Sequence, residues 1–438
     1  MFTSIVFILA LWMPFIQMQT GMFQEGNINE KRSPIKRPEI QKTSLQDIRS
    51  FISDYEKYFN DNFGFRNILV DVNNRVNVQL FHISPIPKLI VGKKGWIFYR
   101  SESDNDGYTI NDYQGLIPFP DDKLERIRLK LELISNQLKE MNIFPLVVIV
   151  PNKETIYSEY MPYSIRKTNN LTRLDQLTEY MRRHSDVHFI NLKEDLLTAK
   201  SEYPLYYKGG THWNKYGAFW GYQRILSALS PYFPGIKAVS IDDFKVSTEP
   251  DSSKDSWIDF IRDNNYTFTP IKKISIESKP YTDWSSSANE IPNSNLPRLL
   301  MFSDSFGDAL ISFLSEHFSR SLFLSGTNPD FQVIRRERPD IVLIELVERN
   351  IAFLDEPIIR TRDDLFNKGV EYYKTDQYQA AKSCFEQGIL KRDHHNPTQK
   401  HYLGITYDAL KEYDKAISML TETISRFPYF LDAYSSLG

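Results

Sequence analysis

Residues 144–150 read FPLVVIV, an apolar run closed by Pro151. Such a run has no polar side to turn toward water, so it predicts a strand buried on both faces. A strand of that kind needs helices above and below its sheet, and the flanking sequence supplies them. Leu124, Ile127, Leu131, Ile134, Leu138 and Met141 recur at helical spacing and predict an amphipathic helix over 121–141. Helical patterns follow near 171–183 and 214–229, with a strand near 187–192 between them. Residues 233–297 are more polar and include a Ser/Asn/Pro-rich loop at 285–296. Strand-like runs return at 299–302, 322–324 and 341–344. The alternation predicts an α/β domain over 45–355, a parallel sheet with helices on both faces. Sites in such sheets lie at the carboxyl ends of the strands.

The two ends of the chain have a different character. Residues 1–24 carry no charge, and a helix of that length reaches about 36 Å, enough to cross a bilayer core of ~30 Å. Pro14, Gln17 and Gln19 interrupt the apolar pattern. A cleaved signal peptide and a buried core helix are the alternatives, but the basic start and Ala-x-Ala site of a signal peptide are missing. A membrane anchor or signal segment is therefore expected at 1–24, followed by a polar linker at 25–44. Lys31, Arg32, Lys36 and Arg37 would favour keeping that flank inside. Toward the other end, Gly369, Tyr372, Tyr378, Ala381 and Phe385 are matched 35 residues later by Gly404, Tyr407, Tyr413, Ala416 and Leu420. These are the small and large packing positions of tetratricopeptide helix pairs, whose period is about 34 residues. Two repeats and the start of a third are expected over 362–438. An unfinished third repeat implies a chain that continues further, and the start without a basic region raises the same expectation there.

Composition narrows the function classes. The 438 residues hold 53 Lys+Arg against 56 Asp+Glu, a net charge of -3 that gives no whole-chain reason to bind nucleic acid. One cysteine excludes an internal disulfide and a cysteine-based zinc site. GxGxxG, GxxxxGK[ST] and HExxH are absent, and His394-His395 is expected to be solvated. No metal or cofactor is expected.

Two segments carry candidate chemistry. In PRLLMFSDSFGDAL (297–310) a buried strand runs into Asp304-Ser305-Phe306-Gly307 and an expected amphipathic helix. That places the Ser305 hydroxyl at a strand end and a helix start, where N–H groups and the helix dipole would stabilise an oxyanion. The alternative is that Ser303 or Asp304 only caps the helix. In YYKGGTHWNKYGAFW (206–220), His212 follows a Gly-Gly turn just before a helix. A serine nucleophile needs a base, commonly histidine. Tyr206, Tyr207, Trp213 and Trp220 flank it, as sugar-stacking rings or, for most, as core.

These stretches, with FNDNFGFR (59–66), VGKKGWIFY (91–99), VVIVPNKETIYSEYMP (147–162), LLMFSDSFGDALISFLSEHFSR (299–320) and RPDIVLIELVERN (338–350), resemble the alginate O-acetyltransferase type of SGNH-hydrolase-like proteins. The resemblance implies a circularly permuted SGNH plan, with the His motif before the Ser motif, in a three-layer α/β fold. It makes Ser305 the nucleophile and His212 its general base. The family commonly carries Asp two residues before that histidine; this chain has Gly210. Another acid, a backbone carbonyl or a weakened activity would each account for that. The resemblance also implies oxyanion donors: the Ser305 N–H, Gly326 after LFLS, and Arg349 at the offset where the family has Asn, with Asn350 beside it. Arg349 would otherwise belong to a surface ion-pair cluster with Glu345 and Glu348. Asn152 and Asp304 are further lining candidates.

The implied activity is transfer of acetyl groups to hydroxyls of an exported or cell-surface polysaccharide, outside the cytoplasm. The implied partners are the polysaccharide acceptor, a membrane-bound O-acyltransferase that supplies acetyl groups, and a protein bound by the repeats. An acetyl esterase of the same fold and a non-catalytic scaffold of an export complex are the alternatives.

Overall fold

The run at 144–150 is buried along nearly its whole length. In the computed structural model, which describes residues 2–23, 34–39, 45–100, 109–250, 263–281, 286–354, 364–391 and 397–437, it forms one strand of a seven-stranded sheet. The strands in chain order are β1 Leu89–Val91, β2 Ile97–Tyr99, β3 Phe144–Val150, β4 Phe189–Asn191, β5 Phe244–Pro250, β6 Asn264–Pro270, β7 Glu277–Tyr281, β8 Ser286–Glu290, β9 Arg298–Ser303, β10 Arg320–Ser325 and β11 Ile341–Val347. The main sheet has the order β4-β3-β11-β9-β10-β8-β7. Its first five strands are parallel, and β8 and β7 continue it antiparallel.

The layering follows from the two-residue period of a strand. Leu146, Val148 and Val150 point into one core with Ala218, Tyr222 and Leu226 of the helix Lys215–Leu229. Val147 and Ile149 point into the other, with Leu124, Ile127, Leu131 and Leu138 of the helix Asp121–Glu140 and Leu174 and Leu177 of Arg173–His184. These three helices and the strand at 144–150 thus fall where the periodicity put them.

The structure departs from three expectations, and a fourth falls largely outside the described residues. The sheet is mixed, because the polar stretch after residue 233 contributes β7 and β8 and a separate β5–β6 hairpin. The segment after Ser305 is no continuous amphipathic helix: a 3-10 turn at Gly307–Ala309, four helical residues at Ile311–Leu314 and a second 3-10 turn at Ser315–His317 follow one another. Phe2–Thr20 is helical, yet among the described residues no helix is long and apolar enough to cross a membrane, so the expected anchor has no support. Most of the expected linker at 25–44 lies outside the described residues.

Residues 364–437 are helical throughout their described parts: Asp364–Lys374, Tyr378–Lys391, Pro397–Ala409, Tyr413–Arg426 and Leu431–Leu437. A Cβ at Gly369 would lie 2.5 Å from the Phe385 ring, and one at Gly404 2.8 Å from Leu420. The same small-against-large contact therefore recurs at the spacing noted in the sequence. The helices are joined to the sheet's core through Leu420, Phe427, Tyr429 and Phe430, which pack with Phe331 and Ile334.

Candidate active site

Strands β3, β11 and β9 are neighbours, so their carboxyl ends bring Asn152, Arg349 and Ser305 to one edge of the sheet. Ser305 is exposed on the turn that leaves β9. His212 comes from a separate loop, 93 residues away in sequence, and its Nε2 lies 2.9 Å from the Ser305 Oγ. That is hydrogen-bond distance for a base and its nucleophile.

The two loops are tied together beside this contact. The Trp213 indole, buried to 2% exposure, donates to the Phe306 carbonyl at 2.9 Å. The Phe306 ring sits 4.9 Å from the His212 ring. Asn214 caps the helix Lys215–Leu229 by accepting from Tyr216 and Gly217 N–H, which fixes where the His loop ends. Tyr206 and Trp213 pair as an antiparallel bridge, and the Tyr206 hydroxyl donates to the Pro151 carbonyl at 2.6 Å. Tyr206 and Trp213 are therefore core residues, while Tyr207 donates its hydroxyl to Asn265 at 2.8 Å.

The other candidates separate by what they touch. The Asp304 carboxylate accepts from Phe306 N–H at 2.9 Å, Val347 N–H at 2.8 Å and the Asn350 amide. It braces the nucleophile turn against the end of β11. The Gly326 N–H is given to the Ser303 carbonyl at 2.8 Å, so it is spent on the end of the sheet. The Ser305 N–H meets no protein acceptor among the described residues, which leaves it for a substrate oxygen. Asn152 is 3% exposed, and its Oδ1 lies 3.5 Å from Arg349 Nη1, at the outer limit of a hydrogen bond. The Arg349 guanidinium lies 5.2 Å from the Phe306 ring centre and 5.7 Å from that of Tyr99.

Among the described residues Arg349 makes no ion pair. Glu345 and Glu348 are 0% and 1% exposed, and no ion pair joins either to Arg349 among the described residues. Burial pushes both carboxyls well up from the ordinary range, toward the neutral acid. Glu348 accepts from Asn152 N–H at 2.7 Å and from the Thr155 hydroxyl at 2.6 Å. No metal-ligating group of three or more His, Cys, Asp or Glu side chains occurs among the described residues.

Two residues at the site have no counterpart in the sequence reading. Lys153 follows Asn152 and is buried under the His loop; Asp263 meets the same loop from another side. The available signal was a lysine placed directly after a strand buried on both faces, where an ammonium must find partners inside the protein.

The comparisons with known proteins bear on this domain. Residues 89–261 match a family described as "SGNH hydrolase-like domain, acetyltransferase AlgX", a span that holds His212 but ends before Ser305. No curated protein matches the chain. Among solved structures, Bacillus cereus PatB1 is similar at 18% identity and a TM-score of 0.46, over 60% of this chain and 96% of that one. The O-acetyltransferase domain of Pseudomonas putida AlgJ is similar at 16% identity and a TM-score of 0.39, over 61% and 93%. Pseudomonas aeruginosa AlgX is similar at 14% identity and a TM-score of 0.38, over 67% and 71%. The chain thus carries an α/β domain, within which residues 89–261 match the SGNH-hydrolase-like, AlgX-type acetyltransferase family.

Proposed function

We propose that the protein is an O-acetyltransferase that moves acetyl groups through Ser305 onto hydroxyls of an exported or cell-surface polysaccharide. The observation that carries this reading is the 2.9 Å contact between His212 Nε2 and Ser305 Oγ, in a domain matched to an acetyltransferase family. Ser305 Oγ attacks the acetyl carbonyl while His212 takes its proton, and the Ser305 N–H and Arg349 stabilise the oxyanion. Collapse expels the donor's leaving group, which takes the proton from His212, and leaves acetyl-Ser305. A sugar hydroxyl then attacks that ester, giving its proton to His212, and the Ser305 oxygen leaves with the proton. The exposure of Ser305 suits a bulky acceptor. The match to the AlgX-type family supports a site of action outside the cytoplasm, and a membrane-bound O-acyltransferase is the acetyl supplier that this proposal assigns. The repeating helical contacts at Gly369 and Gly404 support a tetratricopeptide array, to which this proposal assigns the docking of a partner protein.

The test is incubation with an acetyl ester, with and without oligosaccharide acceptors. Acetylated sugar formed by the wild type and lost in Ser305→Ala is expected. Acetate alone, unaffected by acceptor, would replace the transferase with an esterase.

A further inference from the structure

We propose that Lys153 and Asp263 are a positioning pair that fixes the His212 loop against Ser305, an inference that rests on the function proposed above. The loop makes a tight excursion between the bridged residues Tyr206 and Trp213, with Tyr207 N–H donating to the His212 carbonyl at 3.2 Å. Its tip is Lys208-Gly209-Gly210-Thr211, where two glycines give the backbone great freedom and no side chain to anchor it. The anchoring comes from outside the loop.

Lys153 Nζ donates to three carbonyls in and beside the tip: that of Tyr207 at 2.9 Å, that of Lys208 at 3.0 Å and that of Gly210 at 2.6 Å. All three ammonium protons are thereby used. The Asp263 carboxylate takes the opposite pole of the same peptides, accepting from Lys208 N–H and, at 2.6 Å, from Gly209 N–H. A cation thus gathers the carbonyls and an anion gathers the amides, with His212 two residues beyond the last carbonyl held. Charge-assisted bonds of this kind are about twice as strong as neutral ones.

The surroundings show that Lys153 is placed for this work. It is 3% exposed, with the Trp96 and Phe98 ring centres 5.4 and 5.2 Å from its Nζ. Burial pushes its ammonium down to about 7, while the charges facing it, Asp263 and Glu154, pull the other way. An ammonium this buried would be strongly destabilising without full bonding, and its partners are the loop that carries the base. Gly210, where the resembling family has a carboxylate, is one of the residues whose carbonyl it holds. Side chains contributed from outside therefore hold the loop at the point where its own anchor is missing.

The experiment compares wild type, Lys153→Met, Asp263→Asn and Ser305→Ala in full-length protein, with p-nitrophenyl acetate as probe. KM, kcat and the pH profile are read below each variant's melting temperature. A misplaced base costs roughly 100-fold in rate. Lys153→Met is expected to lose about that factor in kcat with KM within about 2-fold. Asp263→Asn is expected to lose roughly 10-fold the same way, since the amide keeps one acceptor, and it serves if Lys153→Met fails to fold. The acid limb of the kcat/KM profile, set by His212, is expected to shift in both. Lower melting temperatures with unchanged kcat and pH profile would overturn the pair while leaving the Ser305 chemistry intact. Absence of Ser305-dependent turnover in the wild type would overturn the proposed function and the pair with it.

Discussion

At the residue scale the site rests on a few contacts that each predict a mutant. The Trp213 indole joins the His loop to the Ser turn, so Trp213→Phe removes a buried hydrogen bond while keeping an aromatic ring. A stability loss of ~1–2 kcal/mol is expected, with kcat falling at nearly constant KM, measured by denaturant unfolding and ester kinetics. Gly307 is tighter still: a Cβ there would lie 2.2 Å from the Ser303 Oγ and 2.4 Å from its Cβ. Gly307→Ala must therefore displace the turn that carries Ser305, and activity is expected to fall by about 100-fold while far-UV circular dichroism stays native. Ser305 and His212 could be read from sequence because a hydroxyl at a strand end and a histidine before a helix are local patterns. The bonds of Asp304 to Val347 and Asn350 cross 43 and 46 residues of sequence and leave no local trace. Asp263 leaves none either, and Lys153 only its place after a buried strand, since both meet the His loop through its main chain.

At the scale of elements, runs buried on both faces were readable and exposed edges were not. β3, β9 and β11 are apolar along nearly their whole length because both faces are covered. β7 is exposed at four of its five residues, and β6 alternates weakly, so neither carries a hydrophobic signature. One polar residue inside β11 contributes to the pH response, alongside the buried Glu348 and Glu154. Glu345 stands beside Ser303 in the register, is 0% exposed, and neither of its oxygens has a hydrogen-bond partner among the described residues. Burial first, then the charges of Asp304 and Asp308, raise its carboxyl well above 4.5. The folded state therefore keeps a proton that the unfolded chain releases above about 4.5. With more protons bound in the folded form, stability falls as pH rises from there through neutrality. Glu345→Gln keeps the shape of the neutral acid and is expected to flatten the decline of melting temperature between about pH 5 and 8. Glu345→Met is expected to be more stable than wild type at neutral pH by ~1–2 kcal/mol, as removal of a buried unpaired polar group allows.

At the scale of the whole molecule, the C-terminal helices and the α/β domain share a core. Asp330, 0% exposed, accepts from Gln332 and Val333 N–H at the start of the helix Phe331–Glu337 and pairs with Arg426 at 2.8 Å. Phe427, Tyr429 and Phe430 bury themselves alongside. Arg426→Met leaves that carboxylate without its guanidinium and is expected to cost ~3 kcal/mol, seen as a fall in a single cooperative melting transition that covers both parts. Two separate transitions would mean that the parts fold independently. The 35-residue spacing predicted the helical pairs but not this junction, because Phe427 and Phe331 lie 96 residues apart and neither belongs to the repeat pattern. The central claim is that acetyl passes through Ser305 under His212. Its most direct measurement is intact-protein and peptide mass spectrometry after brief quenched exposure to an acetyl ester. The account predicts one acetyl group on the peptide carrying Ser305, absent in Ser305→Ala and strongly reduced in His212→Ala. An unlabelled Ser305 peptide, or labelling that survives Ser305→Ala, would contradict it.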